Sequence, residues 1–472
     1  MIRILNFYFP KRTLFLGISE ACLVGLALAA ATFARLGADG ASSIISYHHG
    51  SLKILVISMA VITCMYYFDL YDSSILDNRR EVVTRLIQVL GTVYVLLALF
   101  YYIYPGMELG RGISIIGLLF VATMLFFWRK LFSKINRNSE FADRALIMGD
   151  GPMAKLLQDE FELRPELGVR VVGHIPALAY ENLGIVCDGT RSYTDSPDAN
   201  VIGELSRTVK RLRASRIVVA MGDRRGKLPV DVLLSLKCRG LLVQDGVDVY
   251  EAITGKVPIE SIRLGWLLFS PGCHASRSHL AYKRIASILV SILGLLLTMP
   301  LLPFIILAIK LTSAGPVLYS QRRVGRDGVV FNCYKFRTMC ADAEADTGAT
   351  WALDDDPRIT RVGKFMRMSR MDEIPQLWNV LRGDMSLVGP RPERPEFVST
   401  LDKEIPYYYL RHTVRPGITG WAQIRYKYGN SVEDSEEKLR YDLFYIKNMS
   451  AGLDLLIFLE TIKIILLGRG AK

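Results

Sequence analysis

The chain opens with long apolar blocks and closes with short apolar segments set among basic residues. Four apolar stretches, roughly 14–34, 54–70, 86–104 and 112–128, occupy the first third. Each approaches the roughly 20 residues a helix needs to cross a hydrocarbon core of about 30 Å. The second is the weakest, because Asp69 follows "ILVISMAVITCMYYF" at once. The first ends in the small residues "ALAAATFA", as a cleavable signal peptide does, but three further apolar runs favour a permanent four-helix transmembrane bundle over 1–137. Arg3, Lys11 and Arg12 precede the first run; Arg79, Arg80 and Arg85 separate the second from the third; Arg129, Lys130, Lys134, Arg137 and Arg144 follow the fourth. The other two loops carry only Arg35, Lys53 and Arg111. Lys and Arg concentrate on the cytoplasmic side of membrane helices, so both ends of the bundle are expected there.

A fifth apolar run, "SILVSILGLLLTMPLLPFIILAIKL" (287–311), is long enough to span, yet both flanks are basic. Lys283 and Arg284 precede it; Lys310, Arg322, Arg323 and Arg326 follow. Pro300 and Pro303 near its centre each remove a backbone donor and break or kink a helix. A helix over 282–311 that enters the leaflet, bends at Pro300 and returns satisfies both facts. A kinked spanning helix is the alternative, since membrane helices tolerate proline, but it puts the basic C-terminal third outside.

The middle of the chain changes period. "RALIMGDGPMAKLLQDEF" reads as strand, glycine turn and helix start; "VRVVGHI" and "RIVVAMG" are buried strands on either side of the helical "VIGELSRTVKRLR". Alternating strand and helix predicts a Rossmann-like α/β domain over 144–268. Gly149, Gly151 and Ala154 fit G-x-G-x-x-A, but the second strand ends "GHIP" with no acid placed for a ribose. A scaffold or oligomerisation domain is the favoured reading, and nucleotide sensing the other. "DGTRSYTDSPDAN" (188–200) reads as a polar loop.

Composition narrows the class. The 472 residues are 51% hydrophobic with a net charge of +12 and a pI of about 9.3. Such a balance suits anionic lipid or phosphate; no nucleic-acid motif accompanies the charge, so a nucleic-acid partner is not expected. The seven cysteines form no C-x-x-C pair and read as reduced thiols, Cys333 and Cys340 included.

The basic C-terminal third holds the chemistry. In "SRMDEIPQLWNVLRGDMSLVGPRPE" (369–393), Ile374, Leu377, Trp378 and Leu381 recur at i, i+3, i+4 and i+7, one apolar face of a short helix. Pro375 suits its first turn and Gly383 its C-cap, which puts Asp372 and Glu373 at the helix N-terminus. The helix dipole favours an acid there by about 0.3–1 kcal/mol, enough to account for one but not for two acids framed by Arg367, Arg370 and Arg391. Two carboxylates among arginines can bind Mg²⁺, which takes oxygen ligands and bridges carboxylates to phosphates, and a carboxylate can attack phosphorus. Phosphoryl transfer from a sugar nucleotide is the economical reading. Asp354, Asp355 and Asp356 before Pro357 read as an Asp-Pro turn rather than a metal site, and His412 as structural. "GLDLLIFLETIKIILLGR" (452–469) reads as an interfacial helix.

Residues 275–468 resemble the bacterial sugar transferase family, the monotopic polyprenyl-phosphate hexose-1-phosphate transferases. The resemblance runs through "KRIASILVSILGLLLTMP", "GPVLYSQRRVG", "YKFRTM", "DPRITRVGKFMR", "DEIPQLWNVLRGDMSLVGPRP", "RPGITGWAQI" and "YDLFYIKNMS". The whole chain looks closest to the large exopolysaccharide-type members. The resemblance implies a catalytic domain over 275–472 with amphipathic interfacial helices, facing the cytoplasm from a multi-pass protein of the bacterial inner membrane. It implies that Asp372 attacks the β-phosphorus of a UDP-sugar, releasing UMP, and that undecaprenyl phosphate then takes the phosphosugar. Glu373, with Asp372, would hold Mg²⁺; Lys335, Arg337, Arg367 and Arg391 would contact phosphates or nucleotide; Asp442 would support the site. Inner-membrane lipids are the further expected partner, and self-association stays open. The family often has Ser before the helix-breaking Pro, where this chain has Met299; Thr298 is expected to supply that hydroxyl from one residue away. The rival class is a non-catalytic membrane sensor or assembly scaffold.

Overall fold

The apolar stretches of the first third fold as helices α1 (Lys11–Tyr47), α2 (Gly50–Tyr67), α3 (Arg79–Ile103) and α4 (Arg111–Asn136). This computed structural model describes residues 2–4, 7–47, 49–72, 75, 79–136, 142–175, 198–222, 228–261, 276–340, 356, 358–426, 429 and 431–467. The chain divides into two compact units, Tyr8–Val249 and Tyr250–Lys472. Among the described residues, five helical stretches are long and apolar enough to cross a membrane: four in the first third, and Arg277–Thr312. Inside the first unit, Val24, Leu28, Val61, Met65, Val89, Val93, Val121 and Leu125 form a buried core. Leu26, Leu55, Val95, Leu119 and Phe127 of the same helices are exposed. Helices apolar on every side suit a lipid surround. One ion pair is buried among them, Arg129 Nε to Glu20 Oε1 at 2.6 Å, with Arg129 also donating to the Leu70 carbonyl at 2.9 Å.

The same unit holds a four-stranded parallel sheet. Its strands are β1 (Asp143–Met148), β2 (Val169–Ile175), β3 (Arg216–Val219) and β4 (Leu242–Asp245), in spatial order β2-β1-β3-β4. Helices α5 (Pro152–Leu163), α6 (Asp198–Arg211) and α7 (Val230–Cys238) alternate with them, as the change of period predicts. Gly149, at φ 123°, is explained by packing alone, since a Cβ there would lie 2.8 Å from the Ala220 carbonyl group. Most of the polar stretch 188–200 lies outside the described residues.

The second unit begins before the 268 boundary expected for the α/β segment. Val257 and Ile259 are buried in one core with Tyr408, Trp421, Leu439, Phe444 and Ile457. Trp421 Nε1 donates to the Gly255 carbonyl at 2.8 Å, and Lys447 pairs with Glu251 at 2.8 Å. The fifth apolar run forms α8 (Arg277–Thr298), a 3-10 turn at Met299–Leu301 and α9 (Leu302–Thr312). The interruption falls at Pro300, and Thr298 Oγ1 donates to the Gly294 carbonyl at 2.8 Å, the hydroxyl role expected of it. After α9 come an antiparallel hairpin, β5 (Leu318–Val324) with β6 (Val330–Phe336), and helix α10 (Arg361–Met368). Helix α11 (Gln376–Arg382) and the parallel pair β7 (Ser386–Val388) and β8 (Gly417–Thr419) lead to α12 (Val432–Lys447) and α13 (Ala451–Leu466).

Candidate active site

Asp372 and Glu373 sit in a 3-10 turn, Met371–Glu373, just ahead of α11, rather than in the helix's own first turn. Arg370 before them takes the left-handed conformation, φ 57°, which turns the chain out of α10. Helix α11 packs on two sides, and its most buried side is not the apolar stripe. Gln376, Asn379 and Val380 are buried, while Trp378 is 57% exposed. The polar side of the helix faces the hairpin: Asn379 donates to the Asn332 carbonyl at 2.8 Å and accepts from the Tyr334 amide at 3.1 Å. The apolar side faces α8, where Leu377 packs against Gly294.

Both carboxylates are buried, and their surroundings divide them. Glu373 Oε1 accepts from Lys335 Nζ and from Arg391 Nη2, each at 2.9 Å. Burial opposes its ionisation, but Lys335, Arg391 and Arg370 overcome it and hold the carboxyl well below its usual range. Asp372 is pushed the other way, first by burial and then by the charge of Glu373, against the pull of Lys335, Arg391 and Arg367. Its Oδ1 is buried with no hydrogen-bond partner among the described residues. An unsatisfied buried acceptor costs about 1–3 kcal/mol, and a bound ion or a catalytic role is among the reasons a fold keeps one. Glu373 is thus a committed anion, and Asp372 keeps lone pairs available to an electrophile.

Arg391 is fixed from behind. It follows β7 in "VGPRP", where Gly389 donates to the Thr419 carbonyl and Gly417 to that of Pro390, both at 2.9 Å. A Cβ on Gly417 would lie 2.1 Å from the Gly389 nitrogen, so only glycines permit this approach. Arg411 Nη2 donates to the Arg391 carbonyl at 2.9 Å and pairs with Asp442 at 2.9 Å. Asp442 therefore reaches the dyad through Arg411 and Arg391. Burial pushes its carboxyl up to about 6 against the pull of Arg411. Arg411 and Tyr408, whose hydroxyl accepts from it, are the members that the sequence left unmarked. Arg411→Leu should strand a buried carboxylate and cost about 3–5 kcal/mol, read as a lowered midpoint of thermal unfolding. Arg411→Leu paired with Asp442→Leu should recover most of that loss.

The remaining expected residues separate. Arg367 lies near Asp372 and donates through Nε to Thr338 Oγ1 at 3.1 Å. Arg337 instead turns to the end of α9 and donates to the Ser313 carbonyl at 2.8 Å. Asp354, Asp355 and Pro357 lie outside the described residues. Asp356 accepts the Arg358 amide at 3.0 Å and its guanidinium at 2.6 Å, a turn locked by an ion pair that holds the carboxyl down at about 2. His412 packs edge-on against Tyr408, and burial beside Arg411 lowers it to about 4. Among the described residues, no group of three or more His, Cys, Asp or Glu side chains is arranged to hold a metal.

Residues 278–468 match the family model described as bacterial sugar transferase. Over 228 residues the chain is 46% identical to UDP-N-acetylgalactosamine-undecaprenyl-phosphate N-acetylgalactosaminephosphotransferase of Aeromonas hydrophila, covering 48% of this chain and 52% of that protein. The chain thus spans about half the length of that relative. Over 336 residues it is 34% identical to UDP-glucose:undecaprenyl-phosphate glucose-1-phosphate transferase of Escherichia coli K12, covering 69% of each. A protein of the same name from Xanthomonas campestris is 28% identical over 431 residues, covering 85% of this chain and 83% of that one.

Proposed function

The chain belongs to the bacterial sugar transferase family, and from that premise we propose that it transfers hexose-1-phosphate from a UDP-sugar to undecaprenyl phosphate. The observation that carries the reading is the divided dyad, with Glu373 clasped by Lys335 and Arg391 beside an unpartnered Asp372 Oδ1. An Asp372 oxygen attacks the β-phosphorus, the bond from that phosphorus to the bridging oxygen breaks, and UMP leaves with the electron pair. An oxygen of undecaprenyl phosphate then attacks the same phosphorus and releases the Asp372 carboxylate. Phosphoryl transfer depends mostly on positioning and charge, which Lys335, Arg367 and Arg391 supply.

Two adjacent carboxylates, one with a buried uncommitted oxygen, suit Mg²⁺, which keeps several waters and needs only one or two carboxylates besides substrate phosphates. Glu373 and Asp372 would hold it, and when bound it neutralises pyrophosphate charge. Purified protein should release UMP from one donor in a panel that includes UDP-glucose and UDP-N-acetylgalactosamine. No UMP from any of them, with the protein folded and Mg²⁺ present, would favour the sensor or scaffold reading.

We also place the protein in the bacterial inner membrane at the initiating step of exopolysaccharide assembly, with 282–311 re-entrant and the site facing the cytoplasm. Both halves of the run close on the dyad region, which supports this. Gly294 of α8 meets Leu377, and Ile309 of α9 is buried with Phe336 and Met366 against Ile374. Cysteine tags near 283 and near 320 should both be labelled from the cytoplasm alone. Pro300→Leu restores a backbone donor whose loss costs about 3 kcal/mol in an ordinary helix, so part of that variant should span and activity should fall. Periplasmic labelling near 320 in the wild type would overturn the topology.

A further inference from the structure

The basic pair Lys283 and Arg284 has an evident role as a marker of sidedness, for which charge alone matters. Charges of that kind normally sit among headgroups. Here the Lys283 side chain is only 14% exposed, and both side chains reach into the enzyme. Arg284 donates through Nη1 to the Val380 carbonyl and through Nη2 to that of Leu381 at 2.8 Å. These belong to the last turn of α11, whose carbonyls lack partners within the helix, and a cation there also complements the helix dipole. At its other end the same short helix is preceded by Asp372 and Glu373.

Lys283 grips a different part of the site. Its Nζ donates to the Tyr445 hydroxyl and to Asp454 Oδ1 at 3.3 Å, and lies 4.8 Å over the Tyr445 ring. Tyr445, one turn beyond Asp442 on α12, donates to Asp454 at 2.6 Å and lies 3.5 Å from the Val388 carbonyl. Val388 ends β7, just ahead of Arg391. One turn further along α8, Ser287 Oγ is 3.3 Å from Ser386 Oγ and accepts the Leu387 amide at 3.4 Å. Positions 284, 287, 291 and 294 share one face of α8, and Ser287, Ser291 and Gly294 are small enough to let α11 and β7 seat closely.

We infer that Lys283 and Arg284 are positioning residues, which mount the Asp372–Glu373 helix and the Arg391 strand on the foot of the membrane helix. This rests on the transferase reading above. Glu373 meets Arg391 across the two mounted parts, so a slip of either part misaligns the dyad with its cations. A misplacement of about 1 Å can cost on the order of a hundredfold in rate.

Charge-conserving variants separate this role from sidedness. In the full-length protein in nanodiscs, Arg284→Lys keeps the charge but cannot fork onto two carbonyls. Lys283→Arg keeps the charge but does not fit the Tyr445–Asp454 pair. Each should slow the burst of UMP from UDP-sugar without acceptor at least about tenfold. KM for UDP-sugar and cysteine-tag topology should stay within about twofold of wild type. Tyr445→Phe, which alters no charge, should slow the burst several-fold, and carries the test if a charged variant misfolds. Wild-type burst rates in all three would overturn the proposal. If the wild type itself gives no burst, the covalent Asp372 intermediate fails; the positioning is then judged by hydrogen exchange over 370–392. Faster exchange in Arg284→Lys than in wild type supports it, and unchanged exchange overturns it.

Discussion

Asp372→Asn should lower turnover at least about a thousandfold while leaving the protein folded, because an amide oxygen is a poor nucleophile toward phosphorus. Stability separates this from a structural defect. A buried carboxylate whose Oδ1 has no partner destabilises the fold, so a neutral isostere should unfold at the same temperature or a higher one. Loss of activity together with an unchanged or raised midpoint identifies a group retained for chemistry. Labelled sugar phosphate should attach to Asp372 in wild-type protein without undecaprenyl phosphate, and not in the variant. More than a few per cent residual activity in Asp372→Asn would count decisively against the assignment.

The direction of the Asp372 shift adds a pH signature. Burial raises this carboxyl while the attacking form is the anion, so the rate should rise with pH across a range above that of an ordinary aspartate. Lys335→Met removes the cation that pulls hardest against burial, and should move that acidic limb to still higher pH. A limb that does not move would mean that another group titrates.

The apolar stretches were legible because length and composition alone test for a membrane helix, and the sheet because the period changes at Arg144. The dyad was legible because two acids among arginines have few uses. Four features were not. The second buried face of α11 was hidden, since the helix turns Asn379 toward the hairpin as well as its apolar residues toward α8; periodicity finds one stripe without saying what the other side meets. Lys335 and Arg337 are two apart and should share a face of β6, but the strand ends at Phe336, which frees Arg337 to turn toward Ser313. Arg411 carries no local signal, because its partners Asp442 and the Arg391 carbonyl are brought to it only by tertiary packing. The segment around Val257 was read with the α/β sheet for the same reason: nothing in "GKVPIE" names the core it enters.

Chelation should stop the reaction, and Glu373→Gln should reduce it about ten- to a hundredfold, the range found when a group that orients a metal or its ligands is removed. Glu373 is the anion on which Lys335 and Arg391 converge, so glutamine keeps an acceptor for them but removes the charge they neutralise. Two effects are expected to coincide. Mg²⁺ affinity in the presence of UDP, read by titration calorimetry without any turnover, should weaken in Glu373→Gln. Lys335 and Arg391 should become like charges with no anion between them, lowering the unfolding midpoint and making it more salt-dependent than in wild type. Ca²⁺ should substitute poorly, because it favours more ligands at longer distances than a pair of adjacent carboxylates provides. Full activity in chelator would remove the metal from the reaction and leave Glu373 as the fixed counter-ion of its two cations. Lost activity with unchanged Mg²⁺ affinity would assign Glu373 that same electrostatic role and move the metal's protein ligand to Asp372.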